Sequence, residues 1–147
     1  DHPAVECKRI PMKTVCIMSE GNTLGKKKFI TPEDLVNEPM IHSRRDSAFY
    51  RKLEEVFTLY KVKINSWIET RQFNSACMLV AEGRGISIVS EMDAREYESR
   101  GLIIKPFTPV IPHTLMLVRP KHTALSTIAL EFLDFFESSL EPFRLKS

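Results

Sequence analysis

Residues 69–89 read ETRQFNSACMLVAEGRGISIV, and this stretch decides the fold. Glu69 closes a run from Lys63 (KINSWIE) that reads as a strand, with Ile64 and Ile68 among its apolar members. Thr70 is a good cap for a helix running through Glu82, and Gly83 supplies a left-handed stop. Ile86–Val89 then reads as a buried strand. Strand, helix and strand joined by short connections form a crossover unit. Gly83-Arg84-Gly85 follows a helix and opens a strand. A phosphate-binding loop does the reverse, so these glycines read as a helix stop and a tight strand entry.

The same alternation extends both ways. Upstream, Lys13–Ser19 (KTVCIMS) is a strand bounded by Pro11 and Gly21. Gly21–Lys28 is a polar, basic loop whose Lys26-Lys27-Lys28 run reads as solvated. Thr31 can cap a short helix, with Pro32 at its first position and Asp34 reaching back to the Thr31 amide. Met40–His42 is extended. Asp46 or Ser47 caps a helix to about Tyr60, striped by Phe49, Leu53, Val56, Phe57 and Tyr60. Downstream, Ser90 with Asp93 resembles a capping pair for a helix ending before Gly101. Leu102–Phe107 and His113–Arg119 are strands, and a last helix runs from about Thr123 to Leu140. The expected class is α/β, a central, mostly parallel sheet flanked by helices. Its ligand edge lies where strands end and helices begin. The last helix carries Leu125, Ile128, Phe132, Leu133, Phe135 and Phe136 on one broad face. Full burial of that face is worth roughly 9–18 kcal/mol, at about 1.5–3 per side chain.

Composition bounds the function. The 147 residues suit one domain, and 43% apolar with 27% charged is a globular balance. Lysine plus arginine number 21 against 19 acids, a net charge of +2, which does not suit direct binding to many phosphates of nucleic acid. The three cysteines, Cys7, Cys16 and Cys77, are odd in number and match no metal spacing, which fits a reducing, cytoplasmic setting. No apolar run reaches about 18 residues, so no membrane partner is expected. His2, His42, His113 and His122 lie far apart, without ligand spacing. No metal, no cofactor and no catalytic residue is expected. Cys77 reads as a small buried hydrophobe beside Ala76 and Val80.

Two polar clusters stand at successive strand-to-helix turns. Ser43-Arg44-Arg45-Asp46-Ser47 gathers hydroxyls, guanidinium groups and a helix N-terminus, a combination suited to carboxylate or phosphate. The alternative is a solvated loop in which Arg44 and Arg45 pair with nearby acids. Thr70-Arg71-Gln72-Phe73-Asn74-Ser75 is polar with one aromatic, as a ligand lip often is. In a parallel arrangement both face the same edge of the sheet.

Residues 23–41, TLGKKKFITPEDLVNEPMI, resemble the entry into the second half of the effector domain of LysR-type transcriptional regulators, through Asp34, Leu35, Pro39 and Ile41. Glu69, Leu79, Val80, Ala81, Gly83, Gly85, Ile86, Ile88 and Val89 resemble that family's next signature. Leu125-Ser126 with Phe132-Leu133-Asp134-Phe135-Phe136 is similar to its closing helix. The likeness runs from about Glu6 to Leu140. Two departures are Ser90, where many members have proline, and Arg84, where a small or apolar residue is common.

The resemblance implies a periplasmic-binding-protein-like domain of two subdomains joined by two crossover strands, with a small effector between them. It implies that residues 1–20 end the first subdomain and carry the first crossover strand, at Lys13–Ser19. Residues 21–112 would be the complete second subdomain, and 113–147 the second crossover strand and a helix returning to the first. The DNA-binding domain and the opening of the first subdomain would lie outside this chain. The effector wall would comprise Ser43, Arg44, Arg45, Arg71, Gln72, Phe73, Asn74 and Ser90, holding an amino acid, an opine-like conjugate or an organic acid. A homodimer or tetramer is implied for the full-length protein, with the stretches near Glu91–Ser99 and Leu102–Phe107 in the pairing. The competing readings are a transporter's solute-binding protein and a small α/β enzyme using the arginines as an anion clamp.

Overall fold

The computed structural model describes residues 3–146 and centres on one short strand. This strand, β2 (Thr14–Ser19), follows β1 (Val5–Met12) after a break at Lys13. Val15 to Met18 are all buried, the pattern of a strand covered on both faces. Two later strands flank it, β5 (Ser87–Ser90) and β6 (Leu102–Pro106), both antiparallel to it. On the far side, β3 (Met40–Ser43) pairs in parallel with β4 (Ser66–Thr70). A parallel bridge between Met40 and Ile86 joins β3 to β5. It is held by Ile41 N–H to the Ile86 carbonyl (2.8 Å) and Ile86 N–H to the Pro39 carbonyl (2.9 Å).

The sheet order is therefore β4-β3-β5-β2-β6, with β2 running against the other four. This corrects the expectation of a mostly parallel sheet in one respect: both pairings of the central strand are antiparallel. The direction rule binds strands joined through a crossover helix. No helix precedes β2, which arrives straight from β1.

β1 itself was not legible in the sequence. It pairs with β7 (His113–Pro120) from Val5–Pro120 to Met12–His113, forming an antiparallel ribbon apart from the main sheet. The strand that partners 113–119 is thus one earlier than Lys13–Ser19, the stretch expected to cross. Four of the six residues 5–10 stay exposed, so the ribbon shows little of the apolar alternation that flags a strand.

Period-two alternation divides the core. Cys16, Met18, Met40, Ile86 and Ile88 face helix α1 (Ala48–Leu59), meeting Tyr50, Leu53 and Phe57. Val15, Ile17, Ile41 and Val89 face α2 (Phe73–Ala81) and α3 (Glu91–Arg95), meeting Ala76, Cys77, Val80 and Ala94. Phe57 stacks on Phe107 with ring centroids 6.1 Å apart. Tyr60, expected on the same stripe, is exposed.

Local signals fare unevenly. Ser47 caps α1, its hydroxyl accepting the Tyr50 N–H (3.1 Å), so Asp46 is not the cap. Asp34 accepts the Thr31 amide (2.9 Å) as expected, on a 3-10 turn at Pro32–Leu35. The Lys63–Glu69 strand begins only at Ser66, although Ile64 is buried. Thr70 ends that strand instead of capping α2, which starts after Gln72. Ser90 holds the cap position of α3, but its hydroxyl makes no hydrogen bond among the described residues.

The last helix, α4 (Thr127–Leu140), starts after its Ser126 cap and not at Thr123. Its apolar face remains largely open. Ile128 is 79% exposed and Phe135 74%, while Leu133 and Phe136 are half-buried. Leu140 alone reaches full burial, against Ile10 and Met12 of β1.

Gly85 fixes the distance between β3 and β5. A Cβ there would lie 2.5 Å from the Pro39 carbonyl oxygen, the acceptor that ties the strands together, and φ is +153°. Gly85→Ala is expected to lower stability by about 2 kcal/mol. Urea unfolding would show this as a lower midpoint at unchanged slope.

The thiols give a second prediction. Burial raises the Cys16 thiol, and burial, then Asp93, pushes Cys77 up to about 12. Cys7 is exposed. An aromatic disulfide reagent at pH 8 should titrate Cys7 alone in the folded protein and all three thiols in denaturant.

Candidate functional site

The strand ends of β3 and β4 and the starts of α1 and α2 meet at one edge of the sheet. Ser43 is the last residue of β3, and Ser47 caps α1. The Ser47 hydroxyl donates to the Ser43 hydroxyl at 3.2 Å. At α2, the Thr70 hydroxyl donates to the Gln72 carbonyl (3.3 Å), and Asn74 Oδ1 accepts the Ser75 N–H (2.8 Å). Neither helix has an acid in its first turn. Both therefore present uncompensated partial positive charge to the same space.

That space is an open cleft of about 420 Å³. Its floor is three rings in mutual edge-to-face contact. Phe49 and Phe73 lie 5.1 Å apart, Phe73 and His113 5.1 Å, and Phe49 and His113 5.8 Å. Each pair is within a few degrees of perpendicular, the arrangement that sets a positive ring edge on a negative face. Burial lowers the His113 pKa, so its ring is neutral at neutral pH. Ser43, Ser47, Arg71, Gln72, Asn74 and Asp93 complete the lining. Burial, then the Glu96 charge, raises the Asp93 carboxyl, which makes no ion pair among the described residues.

The structure brings together five of the eight residues expected in the effector wall: Ser43, Arg71, Gln72, Phe73 and Asn74. The other three do not line this cleft. Arg44 is held by Asp46, with Nε donating at 2.9 Å, the loop pairing weighed as the alternative. Arg45 turns away and donates to the Ser66 hydroxyl (3.3 Å). Ser90 is 1% exposed, because it sits inside the sheet opposite Thr14.

Three lining residues escaped the sequence reading as ligand groups: Phe49, Asp93 and His113, while Ser47 stood in the first polar cluster but outside the expected wall. Each of the three carried a local explanation, as core stripe, cap or strand start. Only the fold brings His113 beside Phe49 and Phe73. Among the described residues no group of histidine, cysteine and acidic side chains could hold a metal, and His2 lies outside them. What the cleft offers is a mostly aromatic floor of interlocked rings under a rim of donors, one cation and one acid without an ion pair among the described residues.

Comparison with known proteins identifies the family. The chain is 31% identical over 131 residues to the transcriptional activator protein LysR of Escherichia coli, covering 89% of this chain and 42% of that relative. It thus spans about two fifths of the curated relatives it matches. A putative LysR family transcriptional regulator from Pseudomonas aeruginosa shares the fold. Its TM-score is 0.76 at 18% identity, over 96% of this chain and 50% of that one. The effector-binding domain of QuiR in complex with shikimate gives 0.68 at 18% identity, over 92% and 65%. At these identities the two structures establish the fold alone. The family model described as the LysR substrate binding domain matches residues 1–141, and the chain belongs to that family.

Proposed function

We propose that this chain is the ligand-sensing part of a longer LysR-type regulator, and that its cleft takes a small carboxylate-bearing metabolite. The observation that carries this reading is the convergence of two helix starts without first-turn acids on a cleft that also holds Arg71. Helix amides and a guanidinium fork are the groups that hold a carboxylate. The phenyl floor takes its apolar body. The shikimate held by the QuiR domain, itself a carboxylic acid, supports this class of ligand. The family is regulatory and not catalytic, so binding without bond making is the expected event.

The cleft is open, so a second wall is expected from another part of the full protein. In this reading residues 21–112 form one subdomain, and 1–20 and 113–147 carry the connections to the other. The effector biases closed against open arrangements only through its differential affinity for them. The output would be the geometry of a homodimer or tetramer whose DNA-binding domains lie outside this chain.

Asp93 narrows the ligand class. An unpaired, half-buried carboxylate is costly, and a ligand ammonium or hydroxyl would relieve it. An effector with an amino group a few ångströms from its carboxylate, an amino acid or an opine-like conjugate, satisfies both Asp93 and Arg71.

A thermal-shift screen of the full-length protein tests both levels. Matched pairs such as glutamate with glutarate, and phenylalanine with 3-phenylpropionate, separate amino acids from plain acids. A true effector at about 100 times its dissociation constant adds about 2.7 kcal/mol of stability. Arg71→Ala should abolish that gain. Silence across the library, with the full-length protein folded, overturns the carboxylate reading.

Asp93→Asn should act in opposite directions on fold and ligand. The Asp93 carboxyl is raised in the folded state, so the folded chain holds this proton more tightly than the unfolded one. Its contribution to stability therefore falls as pH rises through the carboxylate range. Removing the charge should raise the melting temperature of the ligand-free protein at pH 7. It should also erase any preference for the amino member of each pair.

A further inference from the structure

A second cleft, of about 390 Å³, lies on another flank of α1, and nothing in the effector reading uses it. Tyr50 and Phe57 of α1, with Val62 and Ile64 of the following connection, form its apolar side. Arg45, Lys61 and Lys63 supply three positive charges, and Glu54 is the one acid. None of the three cations forms an ion pair among the described residues, whereas the adjacent Arg44 is neutralised by Asp46.

Tyr50 supplies an independent observation. It is only 5% exposed, and its hydroxyl has no hydrogen-bond partner among the described residues. The one side-chain oxygen or nitrogen that is both sealed from solvent and unpartnered there is Ser90 Oγ, so the Tyr50 hydroxyl opens into the cleft it lines. Its ring is buried while its hydroxyl stays reachable from the cleft, a donor open to an incoming acceptor. Burial, then Glu54, raises the Tyr50 pKa against the pull of Arg45, which keeps the phenol a protonated donor.

Behind the cleft, Arg45 donates to Ser66 Oγ (3.3 Å), which lies 2.7 Å from His42 Nε2. His42 Nδ1 lies 2.8 Å from the Ser43 carbonyl, which can only accept, so Nδ1 carries the proton. In the neutral ring Nε2 then accepts from Ser66, leaving the Ser66 lone pairs to Arg45. The His42 ring packs on Tyr50 at 4.8 Å and is 2% exposed. One buried histidine thus meets Tyr50 directly and Arg45 through Ser66, and its Nδ1 donates to the backbone carbonyl of Ser43, a residue that also lines the first cleft.

We propose that this cleft is a second binding site, for a small anion whose carboxylate or phosphate group accepts from the Tyr50 hydroxyl and pairs with Arg45 and the two lysines. Phe57, Val62 and Ile64 leave room for a short apolar body beside the anionic group. Glu54 opposes binding and limits how tight it can be. The proposal stands whether or not the first cleft binds a carboxylate.

Heteronuclear NMR titration of the folded protein tests it, with inorganic phosphate and with acetate, against sodium chloride at matched ionic strength. Saturable shifts centred on Tyr50, residues 61–64 and Ser66 are expected with phosphate, acetate or both, and the two arms show which group is preferred. Tyr50→Phe keeps the ring packing and should weaken binding about tenfold, the worth of one hydrogen bond to a charged acceptor. Arg45→Gln should remove saturation. Shifts that chloride reproduces, or that centre only on Arg71 to Asn74, overturn the proposal. So does undiminished binding by a folded Tyr50→Phe protein.

Discussion

The insertion of β2 between β5 and β6 is the constraint on which the rest of this structure depends. Its four consecutive buried residues leave it no solvent face, so the backbone must bond on both edges and the side chains must be covered on both sides. Cys16 and Met18 are sealed by the layer containing α1, and Val15 and Ile17 by the layer containing α2 and α3. Once both layers are in place, the starts of α1 and α2 have no freedom to avoid each other. They converge at the ends of β3 and β4, and the open cleft there follows from that geometry. Gly85 is part of the same constraint, since it lets β5 approach β3 closely enough to extend the sheet.

Asp93 is the cleft's electrostatic cost, a half-buried carboxylate without a counter-ion among the described residues. The exposed Arg71 and the solvent-facing helix starts carry no comparable penalty. In the proposed reading a ligand cation would relieve Asp93, and the ligand would bias whichever arrangement binds it better. The aromatic edge-to-face contacts hold the floor together without a ligand.

Helix α4 shows what the two-layer sheet cannot absorb. Its stripe of large apolar residues matches a buried helix, yet Ile128, Phe132 and Phe135 remain exposed among the described residues. Both faces of the main sheet are already taken by α1, α2 and α3. The β1–β7 ribbon offers only Ile10, Met12 and Leu115 against Phe136, Leu140 and Phe143. The periodicity of a stripe reports that a helix is amphipathic. It carries no information on whether the opposing surface belongs to the same stretch of chain.

Much of the fold was legible in the sequence, because it is written in short-range chemistry. The Ser47 cap, the Thr31–Asp34 contact, the Gly83 stop and the strands at 14–19, 87–90 and 102–106 each depend on residues a few positions apart. The family signatures lie on those elements, so membership was legible too. Local chemistry could not separate Arg44 from Arg45. Adjacent in sequence and identical in type, they part because Asp46 captures one while Ser66, twenty-one residues from Arg45, captures the other. Nor could it assign Phe49, Asp93 and His113 to one cleft, since each looked structural on its own segment. What the residues encoded on their own was most of the elements after β1, the Thr31–Asp34 contact and the family, while the expected Thr70 and Ser90 caps did not form. Tertiary structure alone decided the antiparallel entry of β2, the burial of Ser90 and the membership of both clefts. Those depend on which distant backbones hydrogen-bond, and a strand's own residues do not encode its neighbour or its direction.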